Sequence, residues 1–250
     1  MPISIKSNNE IELMREAGQI VARTHELLKN LAKPGISTWE LDKEAEKYIK
    51  SQNAFPSFKG YMGFPSSICA SINNEVVHGI PSKKNKLKDG DIISIDIGAL
   101  YKGYHGDAAR TLTIGNVSDE AKKLIKVTEE CFFKGMEFAK SGCHLFEISA
   151  TIQEYVEAYG YSVVRDLVGH GIGKKLHEEP QIPNFKQKNR GPKLEAGMVL
   201  AIEPMINAGM QEVRWLDDDW TVVTMDGSLS AHYENTVLIK EDGYELLTVL

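Results

Sequence analysis

Apolar residues recur at helical spacing near the amino end of the chain. Ile11, Met14, Ile20 and Leu27 follow Ser7-Asn8-Asn9-Glu10, and Leu41, Ala45 and Ile49 follow Ser37-Thr38-Trp39-Glu40. In both stretches a serine is followed three residues later by glutamate, the form of a capping box, in which the two residues satisfy each other's free backbone N–H groups. Two amphipathic helices are therefore predicted, separated at Pro34-Gly35. From about Ile68 the period changes: β-branched runs and turn residues take over through Val76-Val77, Ile92 to Ile97 and Thr111 to Ile114, which predicts strands. A further long helical pattern opens at Ser118-Asp119-Glu120 and ends near Lys140.

The order then starts again. Set against itself at an offset of 107 residues, the chain pairs Lys33 with Lys140, Gly35 with Gly142, Trp39 with Phe146, Glu40 with Glu147, Leu41 with Ile148, Tyr48 with Tyr155 and Ile49 with Val156. This favours an ancient duplication. The expected fold is a single α+β domain whose halves, about residues 1–115 and 116–250, are related by pseudo-twofold symmetry around one shared site.

Composition narrows the partners. At 250 residues with 42% hydrophobic and 26% charged, the chain can bury a full core, and no apolar run approaches the roughly 20 residues that cross a membrane. The amino-terminal residues carry no secretion signal, so the cytoplasm is the expected location. Cys69, Cys131 and Cys143 form no C-x-x-C pair, which argues against a zinc ribbon or a disulfide framework. A net charge of -6 leaves no basic footprint for nucleic acid, and the Lys83-Lys84, Lys86, Lys88 cluster reads as a solvated loop.

Candidate chemistry begins at Asp91 to Ile97, where Ile93, Ile95 and Ile97 alternate with Ser94 and Asp96, turning Asp96 away from the packed face. If Tyr101-Lys102 is the two-residue loop of a hairpin, Asp96 lies opposite Asp107. Facing carboxylates repel unless they share a proton, bind a cation or stay in water, and these two alone leave a solvated pair equally open. Three later segments supply further donors: His170 among glycines 169, 171 and 173, Glu203 after the apolar run Met198 to Ile202, and Glu234 in a strand-like stretch. Asp96, Asp107, His170, Glu203 and Glu234 together form a mainly hard-oxygen set suited to two first-row divalent cations. His78 and His177 are placed to touch a substrate, although a lone histidine is more often a plain polar contact.

At these residues the sequence resembles the type I methionine aminopeptidases over nearly its whole length. The resemblance is carried by Gly60-Tyr61-Met62-Gly63-Phe64-Pro65, Ser67-Ile68-Cys69 through Val77-His78-Gly79-Ile80-Pro81, Asp96-Ile97-Gly98, Gly106-Asp107, Gly169-His170-Gly171-Ile172-Gly173, His177-Glu178-Glu179-Pro180, Ile202-Glu203-Pro204 and Tyr233-Glu234. It implies the pita-bread fold and a bacterial-type enzyme that removes initiator methionine from nascent polypeptides when the second residue is small. It also implies that Asp96 chelates one of two divalent metals (cobalt, manganese, iron or zinc), that Asp107 and Glu234 bridge the pair, and that His170 and Glu203 complete the other. Glu203 would move the proton of a metal-activated water, His177 and His78 would contact the scissile amide, and Tyr61, Phe64, Cys69 and Trp220 would line the methionine pocket. Met62 and Asn235 stand where many relatives have histidine, and Leu176 where some have phenylalanine. The chain's own Met1-Pro2 start resembles a substrate. The implied partners are new polypeptide amino termini, with the ribosome a further candidate and no membrane or specific nucleic acid; a monomer is the default. Rival readings are an X-Pro aminopeptidase or creatinase relative, a silent binding protein of the same fold, and a thiol hydrolase built on Cys69 and His78.

Overall fold

The computed structural model describes residues 2–250; Met1, half of the substrate-like Met1-Pro2 pair, lies outside the described residues. Four helices carry the scaffold: α1 (Asn8–Leu31), α2 (Thr38–Ser51), α3 (Asp119–Gly135) and α4 (Leu145–Ala158). Each begins where a side chain meets a free backbone group. Ser7 N–H donates to Glu10 at 2.9 Å and Ser37 N–H to Glu40 at 2.8 Å. The Ser118 hydroxyl accepts from Ala121 N–H at 3.1 Å, and His144 N–H donates to Glu147 at 2.8 Å. α3 stops at Gly135, short of Lys140, and tightens into a 3-10 turn over Met136–Phe138. Gly135 lies against α4, where a Cβ would sit 3.0 Å from Ile148 and Ile152.

Two antiparallel sheets hold the site. In the first, the strand Ile92–Tyr101 pairs with Tyr104–Thr113 on one edge and with Ile68–Ile72 and Phe55–Pro56 on the other. Ile93, Ile95 and Ile97 are fully buried with Leu28 of α1 and Leu41, Ala45 and Ile49 of α2. At about 1.5–3 kcal/mol per buried branched side chain, this face fixes the strand, and the alternation leaves Asp96 on the opposite side. In the second sheet the order is Tyr244–Leu246, Asn235–Ile239, Val199–Ile202, Gly169–Gly171, Glu178–Ile182. Its core joins Leu200, Ile202, Val237 and Ile239 to Leu124 and Phe132 of α3 and Ile148 and Ile152 of α4.

The 107-residue offset seen in the sequence also relates backbone contacts. Gly35 N–H donates to Leu87 O at 2.8 Å and Gly142 N–H to Leu194 O at 2.9 Å. The isolated bridges Ser37 to Lys86 and His144 to Lys193 stand at the same interval. Both glycines have strongly positive φ, 97° and 93°, which only glycine adopts without strain.

The two sheets meet at Asp107. Its N–H donates to Thr236 Oγ1 at 2.9 Å, and the same hydroxyl donates back to Asp107 O at 2.8 Å. Thr236 N–H in turn donates to Thr248 Oγ1 at 3.2 Å. α1 crosses directly above, where a Cβ on Gly106 would lie 2.8 Å from Gly18 N and one on Gly18 would lie 2.1 Å from Leu247 O.

Candidate active site

The hairpin carrying the first two carboxylates turns one residue later than expected. Lys102 and Gly103, with φ of 47° and 88°, form the loop, and Tyr101 pairs with Tyr104. A two-residue hairpin of this kind needs positive φ at both central positions, and the glycine meets that need where Tyr101-Lys102 would not. Asp107 therefore faces Gly98, and Asp96 faces Ala109, rather than each other. The slip moves each partner by two positions, so both carboxylates remain on one face as diagonal neighbours. Gly98 leaves room beside Asp107, its own space being filled by Ser57 and Phe58.

The second sheet delivers the other donors. His170 is central in the strand Gly169–Gly171, Glu203 follows Val199–Ile202 directly, and Glu234 occupies the break between the strands Ser230–His232 and Asn235–Ile239. Ligand atoms of Asp107, His170 and Glu234 lie within 4.8 Å of one another. His170 Nε2 is 3.6 Å from Glu203. Asp96 and Asp107 are close enough to share a proton, yet one oxygen of each is buried without a hydrogen-bond partner. His170 Nδ1 contacts Gly171 O at 2.9 Å, which places a proton on Nδ1 and leaves the Nε2 lone pair for the cluster.

These charges cannot all stand alone. Burial, together with mutual repulsion at Asp107, Glu203 and Glu234, holds the four carboxyls above their ordinary range. Burial pushes His170 down to about 3, so it is the neutral imidazole that ligates metals. At an effective dielectric of 20, two unit charges 4 Å apart repel by about 4 kcal/mol, so several ionised carboxylates here need a cation. The orphaned oxygens, hard donors and neutral imidazole fit divalent metals well. Because a cation displaces protons from raised carboxyls, metal binding near pH 7 is expected to release protons. Titration of chelator-stripped protein with manganese in two buffers of unlike ionisation enthalpy should give unlike apparent enthalpies; equal values would contradict this picture.

A cavity of about 250 Å³ opens beside the cluster. Asp96, Asp107, His170, Glu203 and Glu234 line it together with His78, His177, Tyr61, Phe64, Cys69 and Trp220, so the candidate metal, catalytic and pocket residues share one space. Phe64 and Trp220 meet edge to face at 5.1 Å. His78 has φ of 60° and is held near neutral charge by burial, its pKa down to about 4. A register shift between His170 and Gly171 accompanies the return of the chain to His177, whose ring meets that of His170 with centroids 4.2 Å apart. The neighbouring Glu178 is anchored by Lys6, a buried ion pair at 2.7 Å.

Leu176 and Met62, noted as departures, also line the cavity, whereas Asn235 lies outside its walls and receives a hydrogen bond from Arg110. Val77, next to His78 in its motif, and Phe58, Leu167, Val168 and Met205, which no motif marks, complete the walls. His232 also stands beside the cluster. Its Nε2 is buried without a hydrogen-bond partner, 3.9 Å from Glu203, and its place two residues before Glu234 was the available signal. Cys69 is unsuited to act as a nucleophile, because burial and the nearby carboxylates push its thiol far above the ordinary value.

Comparison with known proteins agrees with this arrangement. The pattern of metallopeptidase family M24 matches residues 12–241. A methionine aminopeptidase of Clostridium acetobutylicum is 61% identical over 247 residues, covering 99% of both chains, and methionine aminopeptidase 1 of Bacillus subtilis is 59% identical over 98% of this chain and 99% of its own length. The chain belongs to metallopeptidase family M24, among its methionine aminopeptidases. The crystal structure of the Thermotoga maritima methionine aminopeptidase superposes with a TM-score of 0.98 at 44% identity, covering 100% of both chains. Prolidase from Pyrococcus furiosus shares the fold at a TM-score of 0.80 and 26% identity, but this chain covers only 65% of it. The pita-bread architecture is thus common to both branches, and membership of this metallopeptidase family carries the use of divalent metal. No helix among the described residues is long and apolar enough to cross a membrane.

Proposed function

We propose that this chain is a methionyl aminopeptidase that removes the initiator methionine from new polypeptides whose second residue is small, using two divalent metals. The observation that carries this reading is one cavity lined on one side by the five metal-type donors and on the other by an aromatic and sulfur surface. An unbranched thioether packs well against such a surface, which Tyr61, Phe64, Cys69 and Trp220 provide.

Asp96, Asp107, His170, Glu203 and Glu234 would hold the metals, with Asp107 and Glu234 shared between them. Bound there, cobalt, manganese, iron or zinc would activate a water and polarise the scissile carbonyl. Glu203, beside His170 at the edge of the set, takes the proton of the attacking water and passes it to the leaving amine. His177 donates a hydrogen bond to the carbonyl oxygen as charge develops on it, and His78 contacts the scissile amide from the Trp220 side. All these groups come from one chain, so the site needs no partner subunit; a monomer would meet polypeptide amino termini in the cytoplasm, with the ribosome as a further partner.

The test is hydrolysis of Met-Ala-Ser and of Ala-Pro peptides by chelator-stripped protein, with and without manganese or cobalt. Metal-restored release of methionine is the expected result. Cleavage of the X-Pro peptide alone would move the chain to the prolidase side of the family, and no cleavage under any metal would favour a silent binding protein. His177→Ala is expected to lower kcat by about 10²-fold, the usual effect of losing one donor to a developing oxyanion. Its manganese affinity in the calorimeter should stay unchanged; a matching loss of affinity would make His177 a support for the metals instead.

A further inference from the structure

Tyr61 does more in this geometry than wall a pocket. Its hydroxyl lies 2.8 Å from His177 Nδ1, and the two rings meet edge to face with centroids 5.1 Å apart. The segment carrying Tyr61 is tightly wound: Gly60, Met62 and Gly63 all have positive φ, and Gly60 N–H donates to Phe64 O at 2.8 Å. Tyr61 N–H donates to Phe58 O at 2.9 Å, and Phe64 N–H to Tyr61 O at 2.9 Å. The phenol is thus held in place by backbone bonds on both sides of it.

A neutral imidazole has one N–H and one bare nitrogen, and its partner decides which is which. A phenol is a better hydrogen-bond donor than acceptor, because its oxygen lone pair is delocalised into the ring, whereas the bare imidazole nitrogen is a strong acceptor. The 2.8 Å contact from a phenol fixed by its backbone bonds therefore has O–H donating to Nδ1. The remaining proton then resides on Nε2.

We infer that Tyr61 is a positioning residue that fixes His177 in the tautomer with Nε2–H, the form able to donate to the substrate carbonyl. The inference rests on the role given above to His177, and it assigns to Tyr61 a part in kcat that a pocket wall does not have.

The test uses zinc-loaded, histidine-15N-labelled protein, in which long-range 1H–15N spectra separate bare from protonated ring nitrogens, with His177→Gln to assign the signals. The wild type should show a bare Nδ1 and a protonated Nε2 at His177, and Tyr61→Phe should shift it toward the other tautomer or a mixture. With Met-Ala-Ser, Tyr61→Phe should lower kcat about threefold to tenfold, the worth of one neutral hydrogen bond, and leave KM within about twofold. A wild-type His177 protonated on Nδ1, or a Tyr61→Phe variant altered in KM alone, would overturn the inference. If the wild type cleaves no peptide, the functional reading fails, while the spectra still decide the tautomer.

Discussion

Asp107→Asn is expected to lower kcat/KM for Met-Ala-Ser by roughly 10³-fold or more while making the metal-free protein more stable. Asp107 sits at the centre of the cluster, bracketed by Thr236 and within reach of His170, Glu234 and Asp96. The amide keeps the shape of the carboxylate but removes the charge, so the group proposed to be shared between two cations is lost. The same change relieves repulsion among buried carboxyls when no cation is present. The sign with pH follows from the shifts. Carboxyls raised in the folded protein bind more protons there than in the unfolded chain, so stability falls as pH rises from the ordinary carboxyl range through their folded values, about 7 at Asp96. Histidines 25, 170 and 232, held down to about 3, act oppositely, and below the ordinary histidine pKa near 6.5 they offset the carboxyls. Between pH 7 and 8 the carboxyl effect dominates, and at higher pH the buried Cys69 and Cys131 thiols, also pushed up by burial, add a fall of the same sign. Melting temperatures of chelator-treated protein should therefore decline from pH 7 to 8, less steeply in Asp107→Asn, and added manganese should remove the decline in the wild type. A variant that is less stable at every pH, or that keeps its activity, would refute the assignment of Asp107.

The largest loss of stability is expected from Gly18→Ala. The added methyl would lie 2.1 Å from Leu247 O and 2.6 Å from its carbonyl carbon, and both are backbone atoms that no rotamer change can move. Overpacking of this kind costs about 3 kcal/mol. For a chain of this length that corresponds to a fall of about 10 °C in Tm. The effect should reach the site, because Leu247 N–H donates to Thr236 O at 2.9 Å and Thr236 brackets Asp107. Lower manganese affinity should thus accompany the fall in Tm. A loss of less than about 2 °C would mean that α1 can lift from the sheet without consequence.

Local physics made much of this molecule readable in advance. Capping pairs at Ser7 and Ser37 start helices because the free N–H groups of a first turn need partners. The alternation of Ile93, Ile95 and Ile97 set the direction of Asp96, since a strand has a period of two. Residues at exceptional conformations were harder. The hairpin register depends on Gly103 supplying a positive φ, a demand that a Tyr-Lys loop does not meet. The contact of Gly18 with Leu247 joins positions far apart in sequence, and a glycine within a helical pattern carries no local mark of what passes over it. His232 was missed for a related reason: its neighbour Glu203 approaches only through tertiary packing. The convergence of Asp96, Asp107, His170, Glu203 and Glu234 could be anticipated from donor chemistry and resemblance, but their proximity arises only when two sheets meet.

The bracket around Asp107 also sets an order of events during synthesis. Ribosomes make Asp107 long before Thr236, and Thr236 itself is held by Thr248. The guanidinium of Arg110, beside the same site, donates to Glu234 O and to Thr248 O. A growing chain that has not yet exposed residue 248 therefore lacks the last clasp on its own catalytic centre. Assembly of the site is thus expected to finish only once synthesis has passed residue 248.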